Sequence, residues 1–201
     1  MEKLLPYFIL IPFVGYLFSL LLPAKKEDFI SWSSFSSVGL HQAFAMGFIG
    51  YWIWIGCPTL SMQNIVLYET TDYEFFLSII FDKITAVYLF VGSFLTLLVT
   101  IYSRYYMHRE VGYKRFFNTI LFFYIGYNIV IFSGNLETLF IGWEILGISS
   151  FLLIAFYRDR YLPVKNAVKV FSIYRIGRRI DISDVGQSSF VPPQYYIPGV
   201  E

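Results

Sequence analysis

Five apolar stretches dominate the sequence, and each is close to the roughly 20 residues that a helix needs to cross a bilayer. They cover residues 4–22, 35–57, 84–102, 116–132 and 136–156. The composition agrees, because 57% of the residues are hydrophobic and only 14% are charged, unlike a soluble domain. The sequence therefore predicts an integral membrane protein of the all-α class, a polytopic bundle of five transmembrane helices.

The basic residues predict how these helices are oriented. They follow the first, third and fifth stretches, whereas residues 58–82, between the second and third, contain acidic residues and no lysine or arginine. By the positive-inside rule the N-terminus faces outward and the basic loops face the cytoplasm or its equivalent. The first stretch lacks the pattern of a cleaved signal peptide and is expected to stay as a helix.

The pattern divides the chain into four regions. Residues 1–57 hold two N-terminal helices, and residues 58–83 form an outer loop. In that loop NIVLYETTDYEFFLSIIFD has two β-branched and aromatic runs around a polar break, which predicts a short β-hairpin. Residues 84–177 hold three further helices and the start of a sixth, expected near Lys165. Residues 178–201 form a polar tail that is predicted to be disordered or frameshifted.

Several kinds of site lack support in the sequence. Cys57 is the single cysteine, and neither His41 nor His108 has another ligand at metal-binding spacing. Phosphate loops, nucleophile elbows and dinucleotide fingerprints are absent, and no basic face suits nucleic acid. We therefore expect no redox or other catalytic site, metal or bound cofactor in this chain, and no nucleic-acid partner.

Glu144 is the one charged residue in the otherwise lipid-like segment FIGWEILGISSFLLIAFY. It lies about 12 Å into the fifth stretch, where a carboxylate is costly in hydrocarbon. Gly142 and Ser149 form a small-residue strip that would let another helix approach closely. Two alternatives remain: a protonated acid that holds helices together, or a titrating site in a proton path.

Three other residues complete the predicted proton path. A sixth helix starting near Lys165 would bring Arg175 to the depth of Glu144, where a cation would hold the acid ionised. Alternatively, Lys165, Lys169 and Arg175 lie on an amphipathic helix at the membrane surface. His41, in the second stretch, either relays protons or is packed and hydrogen-bonded. The predicted path residues are therefore Glu144, Arg175, Lys169 and His41.

Several ordered motifs resemble a known family. FD precedes the third stretch and IYSRYYM ends it; a GN turn, GWE followed by small residues, and RIG come next. Across residues 81–177 this order resembles the N-terminal region of the antiporter-like subunit 5 of NADH-quinone oxidoreductase (complex I), called subunit L in bacteria. Subunits of multisubunit cation/proton antiporters and of inorganic-carbon uptake systems share the motifs.

The resemblance implies a role for the chain and its partners. Glu144 would match the family's intramembrane glutamate, which works with a lysine on a later helix, and Arg175 the arginine of an RxGD-like motif. The chain would be a proton-translocating subunit beside other membrane subunits in lipid, and partner subunits would handle NADH and quinone. The membrane would be a bacterial cell membrane, with the mitochondrial inner membrane as the alternative.

The sequence departs from the family at Arg178, where the family has aspartate. The polar, proline-containing tail cannot span a membrane, and the later lysine is missing. The simplest expectation is a truncated or frameshifted copy or a gene-model fragment, and the alternative is a natural short protein with a soluble tail. Three functions stay open: a complex I subunit that couples quinone reduction to proton transport, a subunit of a carbon-uptake or cation/proton antiport complex, and a non-conducting fragment or interaction module.

Overall fold

The computed structural model describes residues 1–23, 26–70 and 73–188. A short 3-10 turn, Glu2–Leu4, precedes the first helix. The helices are α1 (Tyr7–Leu21), α2 (Glu27–Trp54), α3 (Lys83–Tyr106), α4 (Tyr113–Ile131), α5 (Leu136–Ile154) and α6 (Tyr161–Ser188), and the strands are β1 (Leu60–Thr70) and β2 (Tyr73–Phe81). The predicted helical membrane bundle with a small hairpin is confirmed.

The chain forms two compact units, residues 1–153 and residues 154–201. In the first unit α2 contacts α1, α3 and α4, and α4 contacts α1, α2 and α3, so these two helices lie at the centre of the bundle. An aromatic cluster fills one end of this bundle. Phe8 stacks on Phe132 with ring centroids 5.1 Å apart, and Phe81 packs edge-on against Phe48 and Trp52. The core is thus built largely from rings contributed by separate elements.

The hairpin closes the same end of the bundle. β1 and β2 pair antiparallel from Leu60 opposite Phe81 to Thr70 opposite Tyr73, with irregular register in two places. The backbone N–H of Ile80 donates to the carbonyl of Phe132 at 2.8 Å, and that of Gly134 donates to Ser78 at 2.9 Å. The free edge of β2 is therefore paired with the α4–α5 connection and not left open.

The connections at the opposite end carry the basic residues. The Lys114 Nζ donates to the carbonyls of Leu20 and Leu22, and His108 Nδ1 lies 3.2 Å from Glu27 Oε2. The α1–α2 and α3–α4 connections thus share one end, which we call the basic side, while the hairpin and the α4–α5 turn share the other. The alternation along the bundle agrees with the predicted sidedness of these loops.

Two predicted boundaries were wrong. The second stretch was expected to start at residue 35, but α2 begins at Glu27 and includes the serine-rich segment SWSSFSS. Ser31 and Ser34 are buried, so the bundle accepts residues that a hydropathy window rejects, and the acidic first turn suits a helix N-terminus. The sixth helix begins at Tyr161, not near Lys165.

The helix α6 also continues past Gly177 to Ser188, although disorder was predicted from residue 178. Between Pro163 and Pro192 the sequence has no proline, so nothing removes a backbone donor from the helix. Residues 189–201 lie outside the described residues.

Three helices of the described chain are long and apolar enough to cross a membrane: the segment Glu2–Leu21 containing α1, α3 and α5. The other two predicted spans correspond to α2 and α4. These helices bury polar side chains against each other, His41 on α2 and Asn128 on α4 among them, which lowers their average hydropathy. The count of five spans stays a prediction.

Candidate functional site

Glu144 lies near the middle of α5. Eight residues separate it from Leu136, where the helix begins, which is about 12 Å of a helix about 28 Å long. The side chain is half-buried in the described chain. The depth expected from the sequence therefore agrees with the helix bounds.

Close packing between α4 and α5 fixes the orientation of Glu144. A Cβ atom on Gly142 would lie 2.8 Å from the backbone nitrogen of Val130, and one on Gly126 would lie 2.8 Å from Ile145 Cγ2. Each helix thus presents a glycine to the other, as small-residue contacts between membrane helices require. The predicted close approach at Gly142 is confirmed.

Glu144 lies on the other side of α5 from this contact. At about 100° per residue it is about 160° away from Gly142 around the helix. Ser149 belongs to the packed side and is buried, with its hydroxyl donating to the carbonyl of Ile145 at 2.7 Å. The carboxyl group is therefore not directed into the α4–α5 contact. Glu137, two turns earlier, has nearly the same angular position.

The start of α5 is fixed by a cap. Asn135 Oδ1 accepts from the backbone N–H of Thr138 at 3.0 Å, which satisfies a donor of the first turn. Thr138 Oγ1 also contacts Asn135 Oδ1 and accepts from the backbone N–H of Ser78 at 3.1 Å. A Cβ on Gly134 would lie 2.5 Å from Ser78 Oγ. The GN turn therefore positions α5 against β2.

His41 lies in the centre of the first unit and is fully buried. Its Nε2 is 3.0 Å from the carbonyl oxygen of Phe8, and its Nδ1 is 2.6 Å from the hydroxyl of Tyr124. A carbonyl can only accept, so Nε2 donates its proton there, and Nδ1 of the neutral ring accepts from Tyr124. The two contacts thus join α2 to α1 and α4.

Pro12 explains why the carbonyl of Phe8 is available. In α1 this carbonyl would normally accept from the backbone N–H of residue 12, but proline has none. His41 supplies the missing donor from α2. His41 is thus the kind of neighbouring group that satisfies a carbonyl freed by proline in a membrane helix.

Sequence reasoning did not select Tyr124, which bonds to His41, or Asn128, which bonds to Tyr124. Asn128 is fully buried and its Nδ2 donates to the carbonyl of Tyr124 at 2.7 Å, while its Oδ1 has no hydrogen-bond partner among the described residues. An asparagine inside an apolar stretch was the available signal, since such residues in membranes usually serve a contact or a pathway.

Arg175 and Lys169 belong to α6, in the second unit. Arg175 is partly buried, and its guanidinium lies 4.9 Å from the centroid of the Phe171 ring, one turn earlier. Lys169 is exposed. From Tyr161, Arg175 is 14 residues along α6, which is about 21 Å. The predicted pairing of Arg175 with Glu144 stays a prediction.

Within residues 1–23, 26–70 and 73–188, no group of three or more histidines, cysteines or carboxylates could hold a metal ion. The free thiol of Cys57 is partly buried.

Comparisons with known proteins add an independent line of observation. Residues 68–117 match the family described as the N-terminus of chain 5 of NADH-ubiquinone oxidoreductase (complex I). The chain is 40% identical over 105 residues to NADH-quinone oxidoreductase subunit L of Neisseria meningitidis serogroup A, an alignment that covers 52% of this chain and 16% of that protein.

Two other relatives match over more of the chain. NADH-ubiquinone oxidoreductase chain 5 of Acanthamoeba castellanii is 32% identical over 161 residues, covering 80% of this chain and 22% of that protein. A probable K⁺/H⁺ antiporter subunit of Rhizobium meliloti is 32% identical over 164 residues, covering 78% of this chain and 15% of that protein. The chain thus spans less than a quarter of the length of each relative. Its sequence is that of an N-terminal part of the antiporter-like subunit 5, or subunit L, family of NADH-quinone oxidoreductases.

Proposed function

We propose that this chain is the N-terminal part of a proton-translocating membrane subunit of an NADH-quinone oxidoreductase, where proton transport is coupled to quinone reduction in partner subunits. The relatives named as chain 5 and subunit L support the assignment. NADH and quinone would bind to those partners. A bacterial cell membrane or a mitochondrial inner membrane would be its location.

The placement of Glu144 is the observation that carries the proposal. The Gly142 contact with Val130 and the Asn135 cap hold α5 on one side and at one end. Glu144 is then left at mid-helix depth on the other side, so its carboxyl can exchange protons without breaking the α4–α5 contact. An intramembrane acid on a rigidly packed helix is typical of proton paths.

The test replaces Glu144 by glutamine in the intact complex, reconstituted in vesicles, and measures proton uptake during quinone reduction. Glu144→Gln keeps the shape and removes the titrating group, so proton transfer should fall at least about tenfold while the complex still assembles. Glu137→Gln is the matched control, because it makes the same change on the same side of α5 at the membrane edge. Undiminished proton transfer in Glu144→Gln would refute the role of Glu144.

Arg175 and Lys169 are proposed to belong to the same path through their cationic side chains. The support is the RIG motif around Arg175 and the similar mid-helix position of Arg175 and Glu144. For His41 the hydrogen bonds to Phe8 and Tyr124 favour the packing role that the sequence left open beside proton relay, since a backbone carbonyl cannot take up a proton. Proton transfer by His41→Gln in the same vesicles decides between the two roles.

A second candidate function is a subunit of a cation/proton antiporter. The match to the probable K⁺/H⁺ antiporter subunit supports it over 78% of this chain. The two functions differ in the energy source that drives proton movement across the membrane. Proton movement that requires quinone reduction supports the first, whereas movement driven by an imposed K⁺ gradient without quinone supports the second.

A further inference from the structure

A cleft opens on the basic side of the first unit, where α1 ends and α4 begins. Its volume is about 460 Å³, within the range of about 300–1,000 Å³ that small-molecule sites occupy. Apolar side chains from three helices form much of its wall, and basic and amide side chains from the start of α4 form the rest. The apolar residues are Tyr16, Leu20, Phe122 and Leu152.

Two cations are part of the lining, Lys114 and Arg115. Lys114 Nζ donates to the carbonyls of Leu20 at 2.8 Å and Leu22 at 2.6 Å. Both acceptors are neutral backbone groups, so these bonds hold the ammonium in place without cancelling its charge. This differs from Arg104 and His108 on the same side, which lie 3.9 Å from Asp28 and 3.2 Å from Glu27.

The two uncharged polar side chains of the lining, Asn118 and Thr119, already have hydrogen-bond partners. Asn118 Oδ1 accepts from the hydroxyl of Ser19 at 2.6 Å, a contact that joins α1 to α4. No carboxylate is found among the residues that line the cleft in the described chain. The cleft therefore combines positive charge at the start of α4 with an apolar wall, and it lies at the level where α1 ends and α4 begins.

We propose that this cleft binds an anionic phospholipid, with its phosphate beside Lys114 and Arg115 and an acyl chain against Tyr16, Leu20 and Phe122. A phosphate is complementary to the two cations, and the apolar wall requires a hydrocarbon tail. Basic pockets between membrane helices on the cytoplasmic or matrix side bind such headgroups in general. The site is independent of proton transfer at Glu144.

Native mass spectrometry of the full chain in detergent micelles tests the proposal. Dioleoylphosphatidylglycerol and dioleoylphosphatidylcholine are added at equal concentrations, since they share the same acyl chains. We expect the anionic lipid to be retained at least about fivefold more strongly, from about 1 kcal/mol per basic residue near a headgroup. Equal retention of the two lipids would overturn the proposal.

Arg115→Gln and Arg109→Gln form a matched pair. Both remove one arginine charge on the basic side, but Arg109 is exposed in the α3–α4 connection and does not line the cleft. Retention of phosphatidylglycerol should fall about fivefold in Arg115→Gln and stay unchanged in Arg109→Gln. Equal losses of lipid retention in both variants would show a general effect of surface charge. Unchanged retention in Arg115→Gln would show that Arg115 does not bind the lipid. Either result overturns the proposed site.

The source of the phosphate is tested in the same experiment. Inorganic phosphate, added in large excess, should fail to displace phosphatidylglycerol, because it makes no apolar contact with the wall. Leu20→Trp leaves the charges intact and fills the cleft, so it should also lower lipid retention, and circular dichroism checks that the variant stays helical. Displacement by phosphate alone, or full retention by folded Leu20→Trp, would contradict the lipid assignment.

Discussion

His41 donates a hydrogen bond from Nε2 to the carbonyl oxygen of Phe8, across a distance of 3.0 Å between α2 and α1. The bond satisfies the one backbone acceptor that Pro12 leaves without its helical donor. Tyr124 on α4 donates to the other ring nitrogen, so the neutral ring has a single consistent arrangement of protons. Three helices of the bundle thus meet at one imidazole.

The first prediction concerns the link between His41 and Pro12. His41→Leu leaves the Phe8 carbonyl and the Tyr124 hydroxyl without partners, so it should lower the free energy of unfolding by about 1–3 kcal/mol. In a Pro12→Ala background the alanine N–H bonds to Phe8, and the cost of His41→Leu should fall by about 1 kcal/mol. Denaturant unfolding of the four variants in mixed micelles measures the coupling.

Tyr124→Phe serves as the control for that cycle. It removes the second partner of His41, but its cost should be the same with or without Pro12, because Tyr124 bonds to the other nitrogen. If the effects of His41→Leu and Pro12→Ala on the free energy of unfolding are additive, another group satisfies the Phe8 carbonyl.

The second prediction concerns the glycine contact between α4 and α5. Gly142→Ala places a Cβ 2.8 Å from the backbone nitrogen of Val130, which cannot move aside as a flexible side chain can. We expect the free energy of unfolding to fall by about 1–3 kcal/mol, as overpacking usually causes.

Gly47→Ala is the matched control for Gly142→Ala. Gly47 lies within α2, and nothing lies within 4 Å of the position its Cβ would take. The change should be neutral or should stabilise by up to about 1 kcal/mol through helix propensity. Equal effects of the two substitutions would show that the α4–α5 contact tolerates a methyl group.

The third prediction concerns the FD motif before α3. Asp82 Oδ1 accepts from the backbone N–H of Thr85 at 2.7 Å, so the aspartate caps the helix. Asp82→Ala should lower the free energy of unfolding by about 1 kcal/mol, whereas Asp82→Asn keeps an acceptor and should lose much less. If Asp82→Asn lowers the free energy of unfolding as much as Asp82→Ala does, Asp82 stabilises the protein through its charge and not through capping.

The motifs used as markers of family resemblance have physical roles that spacing alone could not reveal. Asp82 caps α3, Asn135 caps α5, and Gly142 permits close approach to Val130. Hydropathy was sufficient to predict a helical membrane bundle and the position of Glu144 near the middle of α5, and the β-branched and aromatic runs were sufficient to predict the hairpin, because these features depend on local composition and length. The glycine contact was predictable because small residues leave a visible pattern.

Other features depend on the tertiary structure and were missed. α2 begins at Glu27 because the bundle buries Ser31 and Ser34. The average hydropathy of one segment cannot predict such burial. Tyr124 reaches His41 across 83 positions of sequence, and no periodicity connects them. Such long-range pairs can be identified only when the arrangement of the helices is known.

The last prediction concerns the charge of Arg175. If it belongs to the proposed path, Arg175→Leu removes a cation that favours the ionised form of Glu144, so a larger fraction of Glu144 should be protonated at neutral pH. Infrared difference spectra of the intact complex report this as a carboxylic acid band that disappears in Glu144→Gln. Lys165→Leu removes a charge from the same helix at an exposed position outside the proposed path, and it separates a local effect from the general charge of α6. A band of unchanged intensity in Arg175→Leu would show that the arginine does not control Glu144.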